Sequence, residues 1–150
     1  SVACLDIDHE NLKKLEIVLS KEYDMNKFIF IQCDVSNIDS VRRSVEKIIQ
    51  HFSCIDILLN NAATKTKDIH AFFKNFSDYS LKVWREVMSV NLDGMFLMAQ
   101  AVGRQMQLQK KGVMIQIASI YSLLAPDQRI YQDSNYLGGE INTPAVYTAS

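Results

Sequence analysis

Short apolar runs alternate along the chain with longer stretches in which apolar residues recur every three to four positions. The short runs are bounded by polar or turn-forming residues and predict four β-strands, at residues 2–7, 27–33, 55–63 and 112–119. The longer stretches predict helices at residues 8–23, 36–52 and 80–109. This alternation favours an α/β fold with a parallel sheet and crossover helices on both of its faces.

Polar residues at the predicted helix starts indicate N-caps. Asp8 stands at the start of the first predicted helix, and Ser36 stands at the start of the second, with Asp39 three residues further on. The strand at 55–63 is apolar without alternation, which is typical of a strand buried on both faces. We therefore expect this strand to lie inside the sheet.

The composition indicates one soluble domain with a sizeable core. The chain has 150 residues, of which 48% are apolar and 22% are charged. Sixteen basic residues against 17 acidic ones argue against a nucleic-acid partner. No apolar run is long enough for a membrane span and no leader pattern opens the chain, so we expect a cytoplasmic protein. Three cysteines and three histidines lack metal-ligand spacing, and we expect buried free thiols and no metal site.

Polar residues end each of the four predicted strands. Asp6 ends the first, Asp34 follows the second, Asn60 and Asn61 end the third, and Ser119 ends the fourth. In parallel α/β sheets, ligands bind at the carboxyl ends of the strands. A single acid at such a place would most simply be a loop or cap residue, but four polar strand ends together favour a ligand site.

Six segments resemble the short-chain dehydrogenase/reductase family, and the likeness runs through nearly all of the chain. They are Asp6 at a strand end, CDVS (33–36), NNAA (60–63), VNLDG (90–94), IAS (117–119) and YTAS (147–150). The resemblance implies a Rossmann-like, doubly wound parallel sheet. Residues 119–132 and 142–150 also look similar to bacterial oxidoreductases of the flagellin modification protein A group, which is linked to surface-sugar biosynthesis.

The resemblance implies an NAD(P)-dependent oxidoreductase that interconverts an alcohol and a ketone. It makes Tyr147 the general acid/base and Ser119 a hydrogen-bond donor to the reacting substrate oxygen. It places Asn91 at a bend of the central helix, where it would hold a water for proton relay. Two simpler roles stay open, a turn cap for Ser119 and a helix kink for Asn91. A catalytically inactive nucleotide-binding regulator of the same fold is the alternative function.

The resemblance also assigns cofactor contacts, with the adenosine side of the pocket at Asp34, Val35, Asn60 and Ala62. Asp6 would accept hydrogen bonds from the ribose hydroxyls of NAD, and its charge would repel the additional phosphate of NADP. Neither neighbour that follows it is basic, so we expect NAD in preference to NADP. Asp8 is the other candidate for the ribose contact.

Two departures from the family pattern concern the ends of the chain. None of the five glycines forms the glycine-rich phosphate loop, and the sequence stops one residue before the family's lysine. We therefore expect residues 1–150 to form a partial domain of a longer protein. In the family's strand order another strand would separate the strands at 2–7 and 55–59, so we expect a gap or a rearranged sheet there.

The segment between Ser119 and Tyr147 is about twice as long as in ordinary family members and is rich in hydroxyl, amide and aromatic groups. Tyr121 and Arg129 within it are candidate contacts for a hydroxyl-rich small molecule such as a sugar. A solvated loop or a subunit contact is the simpler interpretation. The family commonly dimerises through its long helix, which implies a homodimer or homotetramer with Phe96 or Met98 on that face.

Overall fold

The computed structural model describes residues 1–150, which divide into two compact units. The first unit comprises residues 1–62 and 94–116, and the second comprises residues 63–93 and 117–150. In chain order the elements are β1 (Val2–Asp6), α1 (His9–Leu19), β2 (Phe28–Gln32), α2 (Ile38–Phe52), β3 (Ile57–Asn60), α3 (Ile69–Phe72), α4 (Leu81–Met88), α5 (Met95–Gln109), β4 (Val113–Gln116), β5 (Asn135–Tyr136), β6 (Gly139–Glu140) and α6 (Ala145–Ala149).

The first unit contains the four strands that the sequence predicts. β1 pairs with β2 in parallel, with Asp6 opposite Gln32, and β3 pairs with β4 in parallel, with Asn60 opposite Gln116. The α/β class with parallel strands is thus confirmed. β1 and β3 form no ladder with each other, so the four strands make two pairs instead of one continuous sheet. The family's strand order implies this separation.

The core of the first unit lies where α2 and α5 pack on each other and on the strands. Its buried members are Cys33, Val41, Val45, Leu58, Met98, Val102 and Met106. The predicted burial of β3 on both faces is wrong, because Leu58 is buried while Ile57 and Leu59 are 64% and 57% exposed. α5 contacts this strand, and the exposed alternate residues show that its other face is uncovered.

The caps of α1 and α2 differ in how well the sequence predicts them. Asp8 caps α1 as predicted, accepting hydrogen bonds from the backbone of Glu10 and Asn11. Ser36 is not the cap of α2, because the Asn37 side chain accepts hydrogen bonds from the backbone N–H groups of Asp39 and Ser40. The Ser36 hydroxyl instead donates to Asp34 Oδ1 at 2.6 Å. Because the Ser36 hydroxyl is bonded to the Asp34 carboxylate, it does not cap α2.

The predicted single helix at 80–109 is interrupted. α4 and α5 are separated by a π-helical segment, Ser89–Gly94, which contains Asn91. Single π-turns inside helices occur frequently at functional sites. Met98 is 6% exposed and belongs to the first unit's core, so its expected place on a dimer face is wrong. Phe96, two residues earlier on the helix, is 61% exposed.

The second unit has its own core of Phe72, Val87 and Val146. The long segment before Tyr147 contributes two 3₁₀ turns, Ile120–Ser122 and Gln128–Tyr131, and an antiparallel hairpin of β5 and β6. The hairpin turns through Leu137 and Gly138, which both have positive φ. The segment therefore contains regular turns and a hairpin, while most of its residues are exposed.

The three cysteines are free, as expected. Only Cys33 is buried, and Cys4 and Cys54 are half-buried, so the expectation of three buried thiols is wrong for two of them. Burial raises the pKa of Cys4. None of the helices has the combination of length and apolar content that crossing a membrane would require.

Gly94 provides a test of packing in the first unit. A Cβ at Gly94 would lie 2.7 Å from Val35 Cγ2, a stiff β-branched side chain that cannot easily yield. We predict that Gly94→Ala lowers the free energy of unfolding by about 1–2 kcal/mol, measured by urea denaturation of the full-length protein. At Gly103, the nearest atom is the flexible end of Met114 at 3.2 Å. Gly103→Ala should therefore be neutral or gain up to about 1 kcal/mol from helix propensity. Equal effects of the two alanines would contradict this packing.

Tyr79 provides a test in the second unit, because its hydroxyl oxygen is enclosed and has no hydrogen-bond partner. Burial raises the pKa of Tyr79 to about 12. The folded form thus keeps a proton that the unfolded chain releases near pH 10, and stability should fall as the pH rises from about 10 to 12. We predict that Tyr79→Phe raises the free energy of unfolding at pH 7 by about 1 kcal/mol and weakens this alkaline loss.

Urea denaturation of the full-length protein at pH 7 and pH 11 measures both effects. The control is Tyr23→Phe, since Tyr23 is 56% exposed. A destabilised Tyr79→Phe variant would mean that its hydroxyl has a partner in solution.

Candidate active site

Tyr147 is presented by helix α6, which begins after Pro144. The backbone N–H of Tyr147 bonds the Pro144 carbonyl at 3.0 Å, and Pro144 itself has the extended conformation that suits a helix start. Val146 is fully buried in the second unit's core. Successive helix residues point about 100° apart, so burial of Val146 directs Tyr147 outward. The Tyr147 side chain is accordingly 43% exposed.

Ser119 caps the 3₁₀ turn that follows β4, since its Oγ accepts a hydrogen bond from the backbone of Tyr121 at 3.3 Å. The Tyr147 hydroxyl lies 3.5 Å from the same Oγ atom and donates to it. This O–O distance is longer than the roughly 2.5–3.0 Å of a typical hydrogen bond between hydroxyl groups, so the contact is a close approach with a weak hydrogen bond. The structure thus places Ser119 in a cap and within reach of Tyr147 at the same time.

Asn91 lies in the π-helical segment and uses both atoms of its side-chain amide. Its Oδ1 accepts a hydrogen bond from the backbone of Thr64 at 2.8 Å, and its Nδ2 donates to Ser150 Oγ at 3.2 Å. The N–H of Thr64 can only donate, which fixes the orientation of the amide. Asn91 therefore joins the loop after β3 to the end of α6, and it makes no hydrogen bond to Ser119 or Tyr147.

Three hydroxyl groups from Tyr121, Tyr131 and Thr143 lie together beside Tyr147, and we call them the hydroxyl cluster. Thr143 Oγ1 donates to the Tyr131 hydroxyl at 2.8 Å. A hydrogen bond with Tyr131 is the main cause that raises the pKa of Tyr121. The Tyr121 ring meets the Tyr147 ring edge to face at 6.4 Å. The cluster therefore connects the long segment to the Tyr147 side chain.

Arg129 lies in a different setting. Its guanidinium forms a two-pronged pair with the Asp127 carboxylate, with Nε–Oδ1 at 2.9 Å and Nη2–Oδ2 at 2.7 Å. Both side chains are exposed, at 88% and 49%. The pairing raises the pKa of Arg129 and lowers that of Asp127. Arg129 makes no hydrogen bond to the hydroxyl cluster or to Tyr147.

In the first unit, the two predicted acids lie at the carboxyl ends of the paired strands β1 and β2. Asp6 is exposed, and its Oδ1 accepts a hydrogen bond from the backbone of Asp8 at 2.8 Å. Asp34 Oδ1 accepts two hydrogen bonds from Ser36, one from its backbone and one from its hydroxyl. Each carboxylate thus keeps one oxygen free of protein hydrogen bonds.

A small recess in the first unit collects three of the predicted cofactor residues. It is lined by Val35, Asn60, Ala62, Gly94, Met95 and Met98. Asn60 is 7% exposed, and its Nδ2 donates to the Met95 carbonyl at 3.0 Å and to Gln116 Oε1 at 2.9 Å. Both amide protons are therefore used to hold β3 against α5 and β4, and of the side chain only the oxygen makes no hydrogen bond.

Residues 1–132 match the family model described as short chain dehydrogenase. The chain belongs to the short-chain dehydrogenase family. D-threitol dehydrogenase from Mycolicibacterium smegmatis (strain ATCC 700084 / mc(2)155) is 30% identical over 129 residues, which are 86% of this chain and 46% of that protein.

Two solved structures are similar over almost the whole chain. NAD+-bound xylitol dehydrogenase has a TM-score of 0.77 and 27% identity, covering 98% of this chain and 48% of that one. A gluconate 5-dehydrogenase from Burkholderia cenocepacia J2315, in complex with NADP and tartrate, has a TM-score of 0.74 and 26% identity, covering 98% and 49%. The chain spans about half the length of the proteins that it matches.

These similarities confirm the expected Rossmann-like fold of the short-chain dehydrogenase family. The narrower likeness to the flagellin modification protein A group stays a prediction. Within the second unit, the sequence interpretation missed Gln128 and Thr143, which bond to each other across the long segment. The sequence shows that this segment is rich in amide and hydroxyl groups, but this richness does not indicate which residues bond to each other.

Proposed function

We propose that the full-length protein is an NAD-dependent oxidoreductase that interconverts an alcohol and a ketone on a hydroxyl-rich small molecule. The observation that carries the proposal is the 3.5 Å approach of the Tyr147 hydroxyl to Ser119 Oγ. The two residues are 28 positions apart and come from a helix and a separate turn of the second unit. Family membership supports the same assignment.

The proposed chemistry divides an alcohol oxidation into loss of a hydride from carbon and loss of a proton from oxygen. The nicotinamide cofactor, when bound, supplies the hydride acceptor. Tyr147 takes the proton from the substrate oxygen and returns one in the reverse reaction. Ser119 hydrogen-bonds the same oxygen and holds it beside the tyrosine. Asn91 keeps α6 and the loop at Thr64 in place through its two hydrogen bonds.

The residues of the first unit fit a dinucleotide. Asp6 has a free carboxylate oxygen at the end of β1, which suits the paired hydroxyls of a ribose. Around the recess, the absence of a side chain at Gly94 allows the backbone to approach Val35 closely. We propose Asp34, Val35, Asn60 and Ala62 for the adenosine side, with Asn60 acting through its oxygen or backbone.

The choice of NAD over NADP rests on Asp6. A carboxylate at the ribose accepts hydrogen bonds from its hydroxyls and repels a phosphate attached there. The similar structures contain NAD+ in one case and NADP in the other, so both cofactors occur among proteins of this fold. The negative charge of Asp6 favours NAD over NADP.

The substrate proposal rests on the surroundings of Tyr147. The hydroxyl cluster offers donors and acceptors beside an aromatic face, which suits a polyol or sugar. Ser119, Tyr121 and Arg129 are the proposed substrate contacts. The similar proteins named above, D-threitol dehydrogenase, xylitol dehydrogenase and gluconate 5-dehydrogenase, carry names that refer to polyols or a sugar acid. We further propose a homodimer or homotetramer, with exposed Phe96 at the interface.

Tyr147→Phe tests the catalytic assignment. The substitution removes only the hydroxyl, so we predict a loss of kcat of about 10²-fold or more with little change in NADH affinity. Steady-state kinetics and NADH fluorescence titration of the full-length protein measure the two quantities. Tyr136→Phe is the matched control, because Tyr136 is exposed on the hairpin. A Tyr147→Phe variant that keeps more than about a tenth of the wild-type rate would reject Tyr147 as the acid/base.

Asp6→Ala tests the cofactor assignment. Loss of the carboxylate removes both the ribose contact and the repulsion of phosphate, so we predict a smaller ratio of kcat/KM for NAD over NADP. The control is Glu22→Ala, which removes another exposed carboxylate of the same unit. If the cofactor ratio is the same in Asp6→Ala and in the wild-type protein, Asp6 does not select the cofactor.

A further inference from the structure

Gln128 makes a two-point contact with the backbone of Thr143. Its Nε2 donates to the Thr143 carbonyl at 2.8 Å, and its Oε1 accepts the Thr143 N–H at 3.0 Å. The primary amide thus acts as a strand neighbour would, satisfying the donor and the acceptor of one residue. A primary amide can do both at once, whereas a carboxylate cannot donate and a hydrocarbon can do neither.

Thr143 is the place where such a contact has most effect on Tyr147. It is 6% exposed, so its backbone groups need partners within the protein. Pro144 follows directly and begins α6, whose first turn closes on the Pro144 carbonyl through the Tyr147 N–H. The start of α6 is held by Gln128 through the backbone of Thr143, and its middle is held by burial of Val146.

A second set of contacts leads from Thr143 to the same tyrosine. Thr143 Oγ1 donates to the Tyr131 hydroxyl, and Tyr131 in turn raises the pKa of Tyr121. The Tyr121 ring then packs edge to face on the Tyr147 ring. The backbone and the side chain of Thr143 therefore both connect to Tyr147, and Gln128 holds the backbone.

We propose that Gln128 is a positioning residue for catalysis, which holds Thr143 and thereby sets the Tyr147 hydroxyl against Ser119. The inference rests on the proposed function, because it gives the long segment a role in the proton-transfer step in addition to substrate contact. Displacing a reacting group by about 1 Å can cost on the order of 10²-fold in rate. Gln128 therefore affects the reaction rate through the position of α6, although its side chain touches neither substrate nor cofactor.

The test compares Gln128→Met with the wild-type full-length protein. Methionine keeps the length of the side chain and removes both hydrogen bonds. We expect kcat and kcat/KM to fall together by about tenfold, because only the transition state requires the aligned hydroxyl. The KM for substrate and the NADH affinity should stay within about twofold of wild type. Gln128→Glu keeps the acceptor and loses the donor, so it should also lose about tenfold and serves if the methionine variant does not fold.

Gln132→Ala is the matched control, an exposed glutamine of the same segment without side-chain hydrogen bonds, and it should retain wild-type kinetics. A purely structural clamp would lower the melting temperature and leave kcat per folded enzyme unchanged, and that result would overturn the inference. A rise in KM alone would overturn it too, because Gln128 would then act on substrate binding. An inactive Tyr147→Phe variant beside a fully active Gln128→Met variant would reject only the inference. An active Tyr147→Phe variant would reject the proposed function and the inference with it.

Discussion

Burial of Val146 is the contact on which the candidate active site depends. Val146 is fully buried and packs with Phe72 and Val87, which stabilises the position of α6 by about 1.5–3 kcal/mol, as for a fully buried side chain of this kind. Because Val146 points inward, Tyr147 must point outward, where its hydroxyl reaches Ser119. An apolar contact thus determines the direction of a polar group.

In the first unit, one polar residue and one small residue set the position of α5. Asn60 is buried at the end of β3 and holds the start of α5 through the Met95 carbonyl, while Gly94 lets the same helix approach Val35. These contacts shape the recess that we propose for the adenosine side of the cofactor. Asp6 and Asp34 need no burial, because the ends of β1 and β2 already bring them to the same edge.

The local periodicity of the sequence predicts the strands, the main helices and the Asp8 cap, because these depend on neighbours within one or two turns. It does not predict that Asn37 caps α2, since that outcome depends on the Ser36 hydroxyl binding Asp34. The family resemblance places a bend at Asn91 but does not specify the π-helical turn found there, and the apolar run of β3 does not reveal that Ile57 is exposed. Motifs locate Ser119 and Tyr147, but the Gln128–Thr143 contact spans 15 positions without any motif.

The central claim is that Tyr147 and Ser119 act together on one substrate oxygen. A crystal structure of the full-length protein with bound NAD and an unreactive ketone analogue of a polyol tests it most directly. The account predicts that the ketone oxygen accepts hydrogen bonds from both hydroxyls, each within about 3.2 Å. A ketone oxygen bound by other groups, with Tyr147 and Ser119 in contact only with protein or water, would contradict it.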